Sequence, residues 1–196
     1  MQNDLRYVRP DPKVPVDLAA HIALAPAGGK VKGMFFRKVL DEVQRKGGPS
    51  IRERSYFTFS DYPLADWLTL LRDAAAAAHP RDPIREGLRK LGRSMYPTFA
   101  DSTVGKVLFS VAGRDVMRAL PLYPRIWSVI SNHGTAAIDE LTPGRVVIRQ
   151  RNVWDFVDCF QLGSIEGGFG FFGIHADVKL AALSPCDADF EVTWIH

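Results

Sequence analysis

The chain has 196 residues, 46% of them hydrophobic and 24% charged, which is ordinary for a globular protein and enough for one domain with a substantial core. Its 25 basic and 22 acidic residues give a net charge of +3, too even a balance to suggest a dedicated nucleic-acid binder. The two cysteines, Cys159 and Cys186, exclude the dense disulfide framework of a small secreted domain, and no stretch approaches the roughly 20 apolar residues that span a bilayer.

A soluble, cytoplasmic protein with reduced thiols is the expectation, since residues 1–6 also lack the apolar run of a signal peptide. Residues 1–30 read as an extended lead-in, proline-rich up to Pro15, with a short strand over 16–24 and a turn at Ala25-Pro26-Ala27-Gly28-Gly29. The first helix is expected over 31–46, where Phe35, Val39 and Val43 recur at spacing four opposite Lys32, Lys38, Asp41 and Glu42. A second starts near Asp61-Tyr62-Pro63 and runs to His79, with Leu64, Leu68, Leu71 and Ala75 along one face. Asp82-Pro83 supplies an N-cap and a first-turn proline for a third, in which Ile84, Leu88, Leu91 and Met95 share a stripe. From Ser102 to about Asn132 several short helices fit, broken at Gly113 and around Pro121 and Pro124.

After Gly134 the period changes from 3.6 to 2. Strands are predicted over 135–141 and 145–151, joined at Thr142-Pro143-Gly144, and a helix over 153–172 follows. A second hairpin then turns at Ser184-Pro185-Cys186-Asp187, and Ala188, Phe190, Val192 and Trp194 alternate with polar residues in its last strand. The expected fold class is therefore α+β: a single domain over 31–196, with an N-terminal helical layer followed by a four-stranded antiparallel sheet in hairpin–helix–hairpin order.

Candidate chemistry is sparse. Gly168-Phe169-Gly170-Phe171-Phe172-Gly173 carries the letters of a dinucleotide loop, but here a helix precedes the glycines and a strand follows, the reverse of what a pyrophosphate site needs. Phe156, Phe160, Gly163, Gly167 and Gly170 share one helix face, which suits either close approach of the sheet or a crevice for a small apolar ligand. Glu166 is a lone polar anchor for such a ligand, or else exposed or paired. Arg145, Arg149 and Arg151 form a basic stripe, expected to be neutralised by Asp187, Asp189 and Glu191 on the last strand. The five histidines lie far from one another and from the cysteines, so no local metal motif exists; His133, at the helix-to-sheet junction, is the one to inspect. Cys159 and Cys186 sit beside acids that disfavour a thiolate, and no serine lies in a nucleophile elbow, so no catalytic residue is predicted.

Tyr62-Pro63, the segment from Arg85 to Arg93, Tyr96-Pro97-Thr98-Phe99, Asn132-His133-Gly134, the segment from Trp154 to Cys159, Glu166-Gly167 and the segment from Ser184 to Asp189 together resemble a myxobacterial-type paralogous family of unknown function. The likeness spans roughly Val31 to Trp194 and brings no activity with it. The hairpin–helix–hairpin ending also resembles a broader ligand-binding superfamily of 4-vinyl reductase domains, haem–nitric oxide-binding domains and trafficking-complex subunits. That resemblance implies a buried apolar pocket for a small molecule or acyl chain, and in many members a dimer. The chain departs from it in lacking the tyrosine–serine–arginine haem signature, and Cys186 alone does not reproduce a cysteine-rich metal site.

The resulting expectation is a non-catalytic regulatory or sensor module, acting in signalling, that binds a small apolar ligand between the helical layer and the sheet. Trp127, Trp154, Phe156, Phe160, Gly163 and Gly167 would line the pocket with Glu166, and the cofactor stays unassigned. Two rivals stand beside it. One is an interaction or homodimerisation module using the helices over 31–46 or 62–78; the other is an enzyme that assembles His133 with Asp158 or Glu166.

Overall fold

The computed structural model describes residues 6–51, 54–102, 105–106, 110, 113 and 115–195. Part of the helical reading after Ser102, and the first five residues of the lead-in, lie outside these.

The lead-in holds a helix where a short strand was expected. Helix α1 (Leu18–Ala23) forms because the Asp17 carboxylate accepts a hydrogen bond from the Ala20 amide at 2.9 Å, a side-chain cap that overrides the weak strand pattern of 16–24. Upstream, Val8 exchanges two 2.9 Å backbone hydrogen bonds with Leu180 and so covers part of a sheet edge. Two three-residue strands, β1 (Lys30–Lys32) and β2 (Asp61–Pro63), pair antiparallel with Val31 opposite Tyr62. Segments this short carry too little alternation to be read from sequence.

Helices α2 (Gly33–Arg45), α3 (Leu64–Ala78) and α4 (Ile84–Asp101) build the helical layer. Their expected stripes are buried in one cluster: Phe35, Phe36, Val39 and Val43 from α2, Leu64, Leu68 and Leu71 from α3, and Leu88, Leu91 and Met95 from α4. The apolar faces proposed for docking a partner are thus spent on the core.

A four-residue helix, α5 (Val116–Ala119), is capped by Asp115, and a single 3-10 turn, Leu120–Leu122, leads into α6 (Tyr123–Ile130). Pro121 and Pro124 sit in the first turns of the last two segments, where a missing N–H costs nothing.

The sheet contains β3 (Thr135–Thr142), β4 (Arg145–Arg151), β5 (Ala176–Ser184) and β6 (Asp187–Trp194), all antiparallel in the order β3-β4-β6-β5. The connection between the hairpins is helical, as expected, but starts late. Phe156 has φ 49°, one wide turn covers Val157–Gln161, and only then does α7 (Leu162–Phe171) run regularly.

One sheet face, with Val146, Ile148, Val178, Leu180, Phe190 and Val192, forms a second cluster with Ile165 and Phe169 of α7. On the other, Arg145 reaches Glu191 at 3.1 Å and Arg151 reaches Asp189 at 2.6 Å, while Arg149 contacts Asp139 at 2.5 Å and Asp189 at 3.9 Å. The basic stripe thus meets Asp189 and Glu191 across the sheet, as the sequence suggested, while Asp187 instead accepts from Ser184 and the Asn152 amide. No helix among the described residues is long and apolar enough to cross a membrane.

Candidate functional site

A cavity opens where the two apolar clusters meet. Helix α6 lies on the boundary, sending Ile126 into the helical cluster and Trp127 into the sheet cluster. The segment after β4 does the same, with Phe156 and Phe160 on one side and Val153 and Val157 on the other. The void between them measures about 120 Å³, close to the ~150 Å³ apolar cavity that takes up benzene in an engineered protein. Phe35, Trp67 and Met95 line it from the helical layer, Leu120, Tyr123, Ile126, Trp127 and Ile130 from the α5–α6 segment, and Ile148, Phe160, Ile165 and Phe169 from the sheet side.

Few polar groups enter this wall, and most of those around Asp155 are joined. Trp67 Nε1 donates to Asp155 Oδ1 and Gln161 Nε2 to Asp155 Oδ2, both at 3.0 Å. Gln150 Nε2 donates to Gln161 Oε1 at 3.1 Å and to the Tyr123 hydroxyl at 2.7 Å. His133 Nε2 stands 3.7 Å from Asp155 Oδ1, and neither ring nitrogen of His133 makes a hydrogen bond. Asp155 reaches the interior because the chain reverses sharply after β4: Asn152 and Phe156 take left-handed backbone conformations, and the Phe156 amide donates to the Trp154 carbonyl at 2.8 Å.

Burial pushes the Asp155 carboxyl above its ordinary value, against the opposing pull of His133, Trp67 and Gln161. Burial likewise raises the Tyr123 phenol and takes Cys159 well above the usual thiol range. Neither is poised as a nucleophile at neutral pH.

Of the residues singled out from sequence, Trp127 and Phe160 line the cavity. Trp154 and Phe156 instead pack on His21, at centroid distances of 5.2 and 4.9 Å. Gly163 and Gly167 face α4, not the cavity and not the sheet. A Cβ at these positions would lie 2.0 Å from the Arg89 carbonyl oxygen and 2.4 Å from that of Arg93, so the two helix backbones cross at a distance only glycine permits. Glu166, on the same side, binds Arg89 and Arg93, with Arg93 Nε 2.6 Å away. Asp158 is held by Arg85. Both acids suggested as partners for His133 are therefore engaged by α4 arginines, and the acid that faces His133 is Asp155. No group of three or more potential metal ligands is found among the described residues.

Trp67, Phe35, Tyr123, Asp155 and Gln161 were not foreseen as site residues. In the sequence Asp155 stood out only as a neighbour of Cys159, and its inward turn depends on backbone torsions that no periodicity reveals.

Over residues 27–195 the sequence matches the family described as protein of unknown function (DUF2378). The chain belongs to this family. No curated protein matches it.

Solved structures resemble the DUF2378 fold at low identity. An Fe(II) unliganded H-NOX protein from K. algicida aligns with a TM-score of 0.61 at 17% identity, covering 84% of this chain and 97% of that one. An H-NOX protein from S. oneidensis in the Fe(II)NO ligation state gives 0.58 at 13%, covering 84% and 99%. An oxygen-binding H-NOX domain related to soluble guanylate cyclases gives 0.57 at 15%, covering 84% and 93%. The α+β architecture of helical layer and four-stranded antiparallel sheet is shared with these structures.

Haem, which the H-NOX likeness brings to mind, does not suit this cavity. Among the described lining residues there is no histidine or cysteine to bind iron, and burial holds the Tyr96 and Tyr123 phenols far from the phenolate that would do so. Met95 supplies one thioether, and no lysine or arginine lines the wall to receive a carboxylate side chain. Asp155 would instead repel one.

Proposed function

We propose that this protein is a non-catalytic sensor or regulatory module that binds a small, largely apolar ligand in the cavity between its helical layer and its sheet. The observation that carries the reading is the void itself: about 120 Å³, walled mostly by aromatic and aliphatic side chains, with a connected polar group at Asp155. Few-per-protein apolar pockets with convergent polar groups are where ligands bind. The H-NOX neighbours support a sensor role by analogy of fold, one of them being an oxygen-binding domain. Burial raises the Cys159 thiol and the Tyr123 phenol, so neither of these is a poised nucleophile, which favours binding over catalysis.

The proposal includes a cytoplasmic setting, in which Cys159 and Cys186 stay free thiols. It also includes the homodimer implied by the sequence resemblance. Phe57 and Phe59, 72% and 64% exposed on the loop before β2, offer apolar surface for one.

Native mass spectrometry of freshly purified protein, followed by titration with naphthalene while the fluorescence of Trp67 and Trp127 is recorded, tests the reading. A co-purifying small molecule or saturable one-to-one binding is the expected result. Protein that carries nothing and binds nothing overturns it.

A further inference from the structure

The buried acids of this protein are not treated alike. Glu42, Asp155 and Asp189 are the acidic residues in the described core. Glu42 is held by Arg45 at 2.5 Å, and Asp189 by Arg151 at 2.6 Å with Arg149 beyond it. Asp155 has neither arginine nor lysine within ion-pair distance, although an unpaired charge is costly to bury. Its two hydrogen bonds, from Trp67 and Gln161, leave free about half of the roughly four lone-pair positions that a carboxylate offers.

The acid also faces a particular wall. Phe35, Trp67 and Phe160 form a contiguous aromatic corner, with Trp67 6.5 Å from Phe35 and 5.8 Å, edge-to-face, from Phe160. All three line the cavity alongside Asp155. Aromatic faces together with one carboxylate, and no basic group in the lining, make up the chemistry that receives an organic cation.

We infer that the cavity is selective for a cationic apolar ligand, a substituted ammonium whose charge sits between Asp155 and the Phe35–Trp67–Phe160 corner. This rests on the binding role proposed above and names its ligand class. The carboxylate supplies the charge, the ring faces take up the alkyl groups around nitrogen, and the aliphatic wall at Leu120, Ile126 and Ile130 houses the remainder. A carboxylate or phosphate ligand meets uncompensated repulsion at the same point. His133, 3.7 Å from Asp155, and His21 are the basic side chains that act on the acid.

A pair of isosteres tests this without knowledge of the natural ligand. Benzyltrimethylammonium and neopentylbenzene have the same shape and differ in charge. Calorimetry or tryptophan fluorescence on the full chain at pH 8 should show the ammonium binding at least about tenfold more tightly, given the strength of desolvated cation–π and ion-pair contacts. In Asp155→Asn that preference should fall to near parity. Equal affinities in the wild type, preference for the hydrocarbon, or a preference that survives in a folded Asp155→Asn protein overturns the inference and leaves the apolar-pocket reading standing. Binding of neither compound overturns both. If the Asn variant does not fold, the wild-type comparison alone decides.

Discussion

Asp155, which is buried, and Glu166, which is half-buried, are carboxylates in one stretch of chain, and their surroundings move them in opposite directions. Burial dominates at Asp155 and raises its pKa. At Glu166 burial also pushes upward, but the hydrogen bonds and charges of Arg89 and Arg93 outweigh it and hold the group below its ordinary value. Linkage then fixes opposite signs. A depressed carboxyl contributes stability above its unfolded pKa and loses it as the pH falls through the folded one. A raised carboxyl contributes at low pH and loses that contribution as the pH rises through its folded value. Glu166→Gln should therefore cost about 1–3 kcal/mol at pH 7, the usual worth of hydrogen bonds to a charged group, and the gap to wild type should close as the solution is acidified below pH 4.5. The stability of wild type relative to Asp155→Asn should move the other way, declining from acid toward neutral pH. His133, His21 and Tyr123 are the titratable groups that interact with Asp155. Urea unfolding midpoints at stepped pH check both; parallel curves for variant and wild type would refute the assignment.

At the scale of elements, the crossing of α4 and α7 organises the helical side of the molecule. Gly163 and Gly167 contribute to it from α7 and Gly92 from α4, where a Cβ would lie 2.1 Å from the Phe160 carbonyl oxygen. An added methyl cannot be absorbed, because each obstacle is backbone. Gly163→Ala should destabilise by about 1–3 kcal/mol despite the higher helix propensity of alanine. Gly170, in the same helix, has nothing within 4 Å of its Cβ position, and Gly170→Ala should stabilise by up to about 1 kcal/mol. Denaturant titration of the two variants separates contact from propensity; equal effects would mean that the crossing is looser than described. An aromatic-then-glycine face was visible in the sequence as a surface that something must approach closely. Its neighbour was not visible, because composition shows which side of a helix is empty but not which element fills the space. Past Ser131, the C-cap of α6, the same limit applies at Asn132, which was expected to end that helix. Its side chain also accepts from the Lys30 amide at 2.6 Å and donates to the Gly28 carbonyl at 3.0 Å, tying the junction to a part of the chain a hundred residues earlier. Long stripes and clean alternation, as in α2 and β6, were legible because each residue repeats the same message. Three-residue strands, the wide turn at Val157–Gln161 and the inward turn of Asp155 repeat nothing.

For the molecule as a whole, two apolar cores share a boundary that neither fills. Side chains from α6 and from the segment after β4 are divided between the clusters, and the void remains where the division leaves no side chain to occupy it. An empty apolar cavity costs stability through lost packing, so its occupant, whether ligand or introduced side chain, should return some of it. Ala119 lines the void and is itself buried. Ala119→Leu should raise the stability of the ligand-free protein by about 0.5–2 kcal/mol, the range typical of cavity filling. The wild type should respond to ligand instead. At a concentration about 100 times its Kd, a ligand that binds only the folded chain adds about 2.7 kcal/mol, which for a chain of this size moves the melting temperature by about 5–10 °C. With Ala119→Leu occupying the same space, the melting temperature should start higher and move little when the same ligand is added. Scanning calorimetry on both proteins, with and without benzyltrimethylammonium and neopentylbenzene, reads the two effects together. A full ligand shift in a stabilised Ala119→Leu protein would place the binding site elsewhere on the molecule. A variant that is destabilised with unchanged ligand response would mean that the boundary between the cores is already solid.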